Sequence, residues 1–254
     1  MKNITLKQKL QRNELTIGSW ITIGHQAVID ILAEAGFDWL TIDLEHTSID
    51  LNQLHVLIGF IQSHGMAALV RVSKNEEVVI KRVLDAGADG IIVPTVNSAE
   101  DARTAVAYAK YPPVGKRGVG LNRAQRYGYG FDDYKQWVKD SLVVIAQIEH
   151  IDGITNIKEI IATEGIDAVF IGPYDLSASL GIPGQYNDPS VLKALEEFEI
   201  VCKEEKKTMG YHVIEPDSSL VTAKHEAGFN FIAFSTDFLF MAKKAEQEMK
   251  KIAK

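Results

Sequence analysis

The phrase EAGFDWL at residues 34–40 returns in altered form as DAGADGI at 85–91, EGIDAVF at 164–170 and EAGFNFI at 226–232. Each copy sets a glycine where a helix must stop, because glycine enters the left-handed C-cap conformation at no steric cost. Each then runs into a short apolar stretch. A chain that repeats a helix-to-strand junction in this way is an alternating α/β chain. The apolar runs predict strands over Ile17–Ile23, Trp39–Leu44, Ala67–Val72, Gly90–Val96, Val143–Ile148, Ala168–Ile171, Thr208–Ile214 and Phe231–Phe234. Amphipathic stretches predict helices over Gln26–Ala35, Leu51–Ser63, Glu76–Asp85, Ala99–Ala109, Ile154–Ala162, Ser190–Glu205, Ser218–Ala227 and Asp237–Ala253. The strands are apolar on both faces, as in a parallel sheet covered by helices. Eight such units in 254 residues point to one (β/α)₈ TIM barrel spanning 1–254, in preference to two doubly wound domains.

Composition narrows the function. A formal charge of −7 and the lack of a basic stripe argue against nucleic acid as a partner. No apolar run approaches the roughly 18 residues of a membrane span, and the start MKNITLKQKLQRNE is too polar for a signal peptide. The single cysteine, Cys202, suits a reducing cytoplasm and excludes an internal disulfide. One connection is unusual. About thirty residues after Ala109 include PPVGKRGVGLNRAQRYGYG, whose glycines and four basic residues (Lys116, Arg117, Arg123, Arg126) suggest a mobile wall over the barrel mouth.

In a barrel, the C-terminal strand ends carry the chemistry. Strand two ends in Asp43, Leu44, Glu45 and His46, strand three in Arg71, strand five in Gln147 and Glu149, and strand six runs into Gly172, Pro173, Tyr174 and Asp175. Glu149 and Asp175, with no cysteine or histidine pair beside them, suit a hard cation such as Mg²⁺ or Mn²⁺. The alternative for Asp175 is a helix N-cap. Arg71 suits a carboxylate or enolate through its paired donors, the alternative being an ion pair with Asp43 or Glu45. His46 leads as general base, ahead of His25 and His150, while His55 and His64 read as surface or core residues. Gly172 and the N–H groups after it offer a weak anion cradle. No lysine lies on any of the eight strands, which disfavours imine chemistry.

The segments GFDWLTIDLEH, LVRV, VLDAGADGIIVP, YPPVGKRGVG, AQIE and VFIGPYDLSASLG, in order from about Gly18 to the last helix, resemble the HpcH/HpaI aldolases. These are class II, metal-dependent barrels of the pyruvate/phosphoenolpyruvate group. The resemblance implies metal ligation by Glu149 and Asp175, with Mg²⁺ or Mn²⁺ preferred and Co²⁺ a third option. It assigns the pyruvyl group to Arg71 and catalysis to His46, oriented by Asp85. Trp20, Asp43 and Gln147 match other pocket positions, and Gly172, Tyr174 and His212 complete the expected substrate contacts. Tyr174 and His212 stand where heptanedioate-cleaving members carry small or aliphatic residues. The implied reaction is reversible cleavage of a 4-hydroxy-2-oxo acid or 2-keto-3-deoxy sugar acid into pyruvate and an aldehyde, in a homo-oligomer, commonly a hexamer. Two rivals are a phosphate-sugar isomerase, for which strands seven and eight lack a glycine-rich cradle, and a non-catalytic metabolite-binding barrel.

Overall fold

The computed structural model describes residues 5–252. The strands are β1 (Thr16–Ile21), β2 (Trp39–Asp43), β3 (Ala67–Arg71), β4 (Gly90–Val93), β5 (Val143–Ile148), β6 (Ala168–Ile171), β7 (Thr208–Val213) and β8 (Phe229–Thr236). They close in sequence order into a parallel barrel, β8 pairing with β1. The helices are α1 (Leu6–Gln11), α2 (Gln26–Ala33), α3 (Leu51–Ser63), α4 (Glu77–Asp85), α5 (Ala99–Ala109), α6 (Phe131–Asp140), α7 (Ile151–Thr155), α8 (Ile157–Ile161), α9 (Pro173–Ser179), α10 (Pro189–Glu204), α11 (Ser218–Glu226) and α12 (Asp237–Met249). The helix expected over Ile154–Ala162 is broken in two at Asn156, whose side-chain amide donates to the Asn97 carbonyl at 2.8 Å. Helix α12 ends at Met249; Ala253, where its end was expected, lies outside the described residues.

The repeated junction has a physical cause. Gly36, Gly87, Gly165 and Gly228 all adopt positive φ, between 81° and 105°; three of them follow directly on a helix end, and Gly165 makes the turn between α8 and β6. The aspartate that follows reaches back to the preceding strand. Asp38, Asp89 and Asp167 accept hydrogen bonds from the N–H groups of Ile17, Ala68 and Val144 at 2.8–2.9 Å. The three carboxylates thus tie β2, β4 and β6 to their neighbours at the N-terminal face. Asn230 breaks the pattern and donates to the Asn13 carbonyl instead. Helix α1 plugs the same face, with Leu10 buried in the barrel interior and Lys7 paired to Asp167 at 2.7 Å.

Alternate strand residues point inward and fill the barrel with Trp39, Leu69, Ile145, Phe170 and Phe231. The Trp39 indole stacks on Phe231 at 4.3 Å and crosses the space over Gly18, where any Cβ would fall 2.0 Å from the ring. At the other end, Asp237 accepts from Thr22 and Ile23 and joins the start of α12 to the end of β1. The segment between α5 and β5 does not form a wall over the mouth. Every helix of the barrel returns the chain to the end where strands begin, so this segment emerges at the N-terminal face. There Arg117 is buried against Asp85 and Tyr134, and Arg123 holds Gln62 and the Ala86 carbonyl. It also contains α6, a helix within the stretch that residue order presents as one long connection.

Removal of the central aromatic is expected to cost stability in proportion to the cavity left. Trp39→Ala should lose about 3–5 kcal/mol in urea unfolding, and Gly18→Ala should be destabilised by overpacking. A Gly18→Ala protein as stable as wild type would show that Trp39 does not occupy this site.

Candidate active site

Inward parity brings Trp20, Asp43, Arg71, Gln147 and His212 to the C-terminal ends of five strands. Arg71 and Asp43 share a register position across β2 and β3. Their side chains form a two-point ion pair, Nε to Oδ1 at 3.0 Å and Nη2 to Oδ2 at 2.7 Å. The guanidinium also lies over the Trp20 ring, 4.5 Å from its centroid. The pairing with Asp43 is therefore realised, and it uses one edge of the guanidinium, while Nη1 makes no hydrogen bond among the described residues. Asp43 Oδ1 accepts in addition from the backbone N–H groups of Glu45 and His46, which shapes the turn after β2. Glu45 Oε2 lies at ion-pair distance from Arg71 Nε (3.4 Å) and His46 Nε2 (3.5 Å) without a hydrogen bond to either. Burial raises the Glu45 pKa above the usual carboxylate value, Arg71 opposing the rise and Glu149 adding to it.

Glu149, just past β5, is held from two sides. Its Oε2 accepts from Gln147 Nε2 at 2.5 Å, and its Oε1 accepts from the N–H and the hydroxyl of Thr95 at 2.8 and 2.9 Å. Thr95 follows β4 with φ of +53°, a conformation that costs a β-branched residue energy. The sequence reading missed Thr95, because nothing in its neighbours announces that backbone. Gly172 lies against Glu149, and a Cβ there would meet Glu149 Cβ at 3.0 Å and Oε2 at 3.3 Å. Its N–H is committed to the Ile148 carbonyl, so Gly172 contributes room and no anion contact. Asp175 is exposed in the first turn of α9, whose N-cap is Gly172, so the N-cap alternative for Asp175 does not hold.

These groups fit a hard cation. The donors are oxygens only, and the buried Gln147 Oε1 and Glu45 Oε2 have no hydrogen-bond partner among the described residues. Among the described residues no three His, Cys, Asp or Glu side chains gather into a cage. A cation here would rest on Glu149 and Asp175 and take its other ligands from water and substrate, as Mg²⁺ does.

His212 and Trp20 line the opposite side, their ring centroids 5.8 Å apart. His212 Nε2 lies 3.2 Å from the Ser235 carbonyl. Burial pushes its pKa from the ordinary 6.5 down to about 4, with Arg71 adding to the effect. Tyr174 makes no ring contact with His212 or Trp20 among the described residues. It is half-exposed on α9 and its ring approaches Gly184. His25 and His150 are N-caps of α2 and α7, and His64 pairs with Asp30 at the surface. Asp85 does not meet His46 within the chain. As the last residue of α4 it sits at the N-terminal face, bound to Arg117 at 2.5 Å and Gln125 at 3.1 Å, while His46 is exposed at the mouth. A cleft of about 680 Å³ lies at that N-terminal face too, and its buried lysines are spent on backbone carbonyls and Asp167.

The profile of a family described as HpcH/HpaI aldolase/citrate lyase matches residues 16–243. The chain is 36% identical to a 2-dehydro-3,6-dideoxy-6-sulfogluconate aldolase of Pseudomonas putida, over 94% of this chain and 92% of that protein. It is 34% identical to a 2-keto-3-deoxy-L-rhamnonate aldolase of Escherichia coli K12, over 96% and 91%. A crystal structure of a HpcH/HpaI aldolase/citrate lyase family protein from Burkholderia cenocepacia J2315 superposes with a TM-score of 0.92 at 32% identity. The match covers 98% of this chain and 99% of that one.

The depressed pKa of His212 carries a pH signature. Between pH 6.5 and 4 the unfolded chain binds a proton that the folded chain refuses, so this contribution to stability is full above 6.5 and lost on acidification through that window. Urea unfolding from pH 7 to 4.5 should therefore show wild type losing stability relative to His212→Leu. A constant difference between the two proteins would mean that His212 is not held neutral.

Proposed function

This chain belongs to the HpcH/HpaI aldolase/citrate lyase family and is a carbon–carbon lyase, and from that premise we propose that it reversibly cleaves a 4-hydroxy-2-oxo acid of the 2-keto-3-deoxy sugar acid type into pyruvate and an aldehyde. The observation that carries this reading is the Arg71 guanidinium fixed by Asp43 at the barrel mouth, where Glu45 lies beside it and Gln147 holds Glu149. The sugar-acid substrates in the names of the two relatives support the acid class. Members of this family depend on a divalent metal. Held by Glu149 and Asp175, Mg²⁺ or Mn²⁺, with Co²⁺ as a third option, would polarise the 2-oxo group as a Lewis acid.

Arg71 gives the remaining steps their anchor. With one edge fixed on Asp43, it offers its free N–H groups to the pyruvyl oxygens, whose negative charge grows as the C3–C4 bond breaks. His46, exposed beside Glu45, accepts the proton of the 4-hydroxyl during cleavage and returns it during condensation. The electron pair of the broken bond passes into the pyruvate enolate, which takes a proton at C3 to become pyruvate. Trp20 and Phe170, packed edge to face, close the floor and keep water from beneath the reacting carbons.

Any contact between His46 and Asp85 must join separate chains, since one chain holds them at opposite ends. A homo-oligomer, hexameric as the resemblance implies, is supported by Phe238, Met241 and Met249 exposed along α12. No helix among the described residues is long and apolar enough to cross a membrane. The single buried Cys202 supports a cytoplasmic setting.

Two experiments test the reading. EDTA should abolish aldol addition of pyruvate to aldehydes, and Mn²⁺ or Mg²⁺ should restore it; borohydride trapping of pyruvate on a lysine would contradict the assigned class. Arg71→Ala should lower kcat/KM by at least about a hundredfold, because a charge-assisted pair and its geometry vanish together, and Arg71→Lys should recover only part. Near-normal turnover in Arg71→Ala would remove Arg71 from the mechanism.

A further inference from the structure

Between β1 and β8 the register slips: Gly18 pairs with Ala233, but Trp20 pairs with Thr236. Two residues of β1 thus span three of β8, which is a β-bulge. Within it Ser235 is fully buried with φ of +54°, a conformation that any residue with a Cβ adopts at a cost. The serine side chain compensates by donating to the Ile214 carbonyl at 2.8 Å. The bulge leaves the Ser235 carbonyl accepting from Ser19 Oγ at 3.3 Å and facing His212 Nε2 at 3.2 Å.

A carbonyl oxygen can only accept, so the proton of the His212 ring must sit on Nε2. The depressed pKa keeps the ring neutral, so Nδ1 carries a lone pair and no proton. Among the described residues Nδ1 has no hydrogen-bond partner, and the same ring touches Trp20, over which Arg71 lies. An obligate acceptor therefore stands in the wall of the proposed pyruvate site, where an aliphatic side chain would offer nothing to a polar group. We propose that the Ser235 bulge locks His212 as a hydrogen-bond acceptor for a hydroxyl on the aldehyde half of the substrate, making the enzyme selective for hydroxyaldehydes. This rests on the aldolase reading and adds the residue that reads the acceptor's hydroxyl and the device that fixes its tautomer. Ser235 is the positioning residue and His212 the one that touches substrate.

Long-range ¹H–¹⁵N spectra of histidine-labelled protein at neutral pH should show the Nε2–H tautomer for His212. An Nδ1–H tautomer or an imidazolium would overturn the proposal whatever the kinetics. With the Mn²⁺-loaded enzyme and pyruvate, lactaldehyde should be preferred over propionaldehyde by about tenfold or more in kcat/KM, since a polar wall left unpaired discriminates against the analogue lacking the hydroxyl. The ratio should fall toward one in His212→Leu and recover in part in His212→Gln, whose amide can donate to Ser235 and still accept. Turnover of both aldehydes without preference, or an unchanged ratio in His212→Leu, overturns the proposal and leaves the aldolase reading intact. No turnover with any aldehyde overturns both.

Discussion

Closing a parallel sheet on itself forces every second side chain into a space with no exit except at the two ends. In this barrel the alternation decides nearly everything else. Toward the N-terminal face the inward positions are Trp39, Leu69, Ile145 and Phe231, and they make a dry core. Further along, the same parity delivers Asp43, Arg71 and Gln147 on β2, β3 and β5, and His212 on β7, to the mouth. The polar layer can be held in place because the apolar layer beneath it cannot move. Gly18 belongs to that constraint as much as Trp39 does, since the indole fills the volume that a side chain would take.

The electrostatics of the mouth follow from what is crowded there. Asp43 and Glu45 flank one guanidinium, Glu149 is close enough to act on Glu45, and Asp175 lies in the first turn of α9. An anionic 2-oxo acid meets net negative charge at such a site unless a cation joins it. Glu45 already registers the crowding, its carboxyl raised by burial and by Glu149. A divalent ion on Glu149 and Asp175 would relieve this repulsion and give the substrate's oxygens a partner, which is why the oxygen-only donor set and the acid substrate belong to one reading. Arg71 then supplies the fixed positive charge, because Asp43 orients it before substrate arrives.

Much of this was legible in residue order. The C-terminal strand ends placed Asp43, Arg71 and Gln147 at the mouth, the resemblance added His212 to the pocket, and the repeated glycines marked the junctions at Gly36, Gly87, Gly165 and Gly228. What escaped was three-dimensional in origin. The length of the 110–142 segment signalled importance, but only the direction of the preceding helix says which end of the barrel it covers. Tyr174 is adjacent to Asp175 in sequence, yet one step around a helix turns it toward Gly184. Asp85 came from resemblance alone, and one chain does not bring it to His46. Thr95 and Ser235 carry left-handed backbones that neither residue type advertises, and each holds a side chain of the site.

The central claim is that this mouth turns pyruvate into its enolate with the help of a divalent cation and Arg71. The most direct measurement is exchange of the pyruvate methyl protons with D₂O, followed by ¹H NMR without any aldehyde. Wild-type protein with Mn²⁺ or Mg²⁺ should exchange them, and the exchange should cease in Glu149→Gln and in Arg71→Ala. Exchange that proceeds equally well in EDTA, or that survives both substitutions, would contradict the claim.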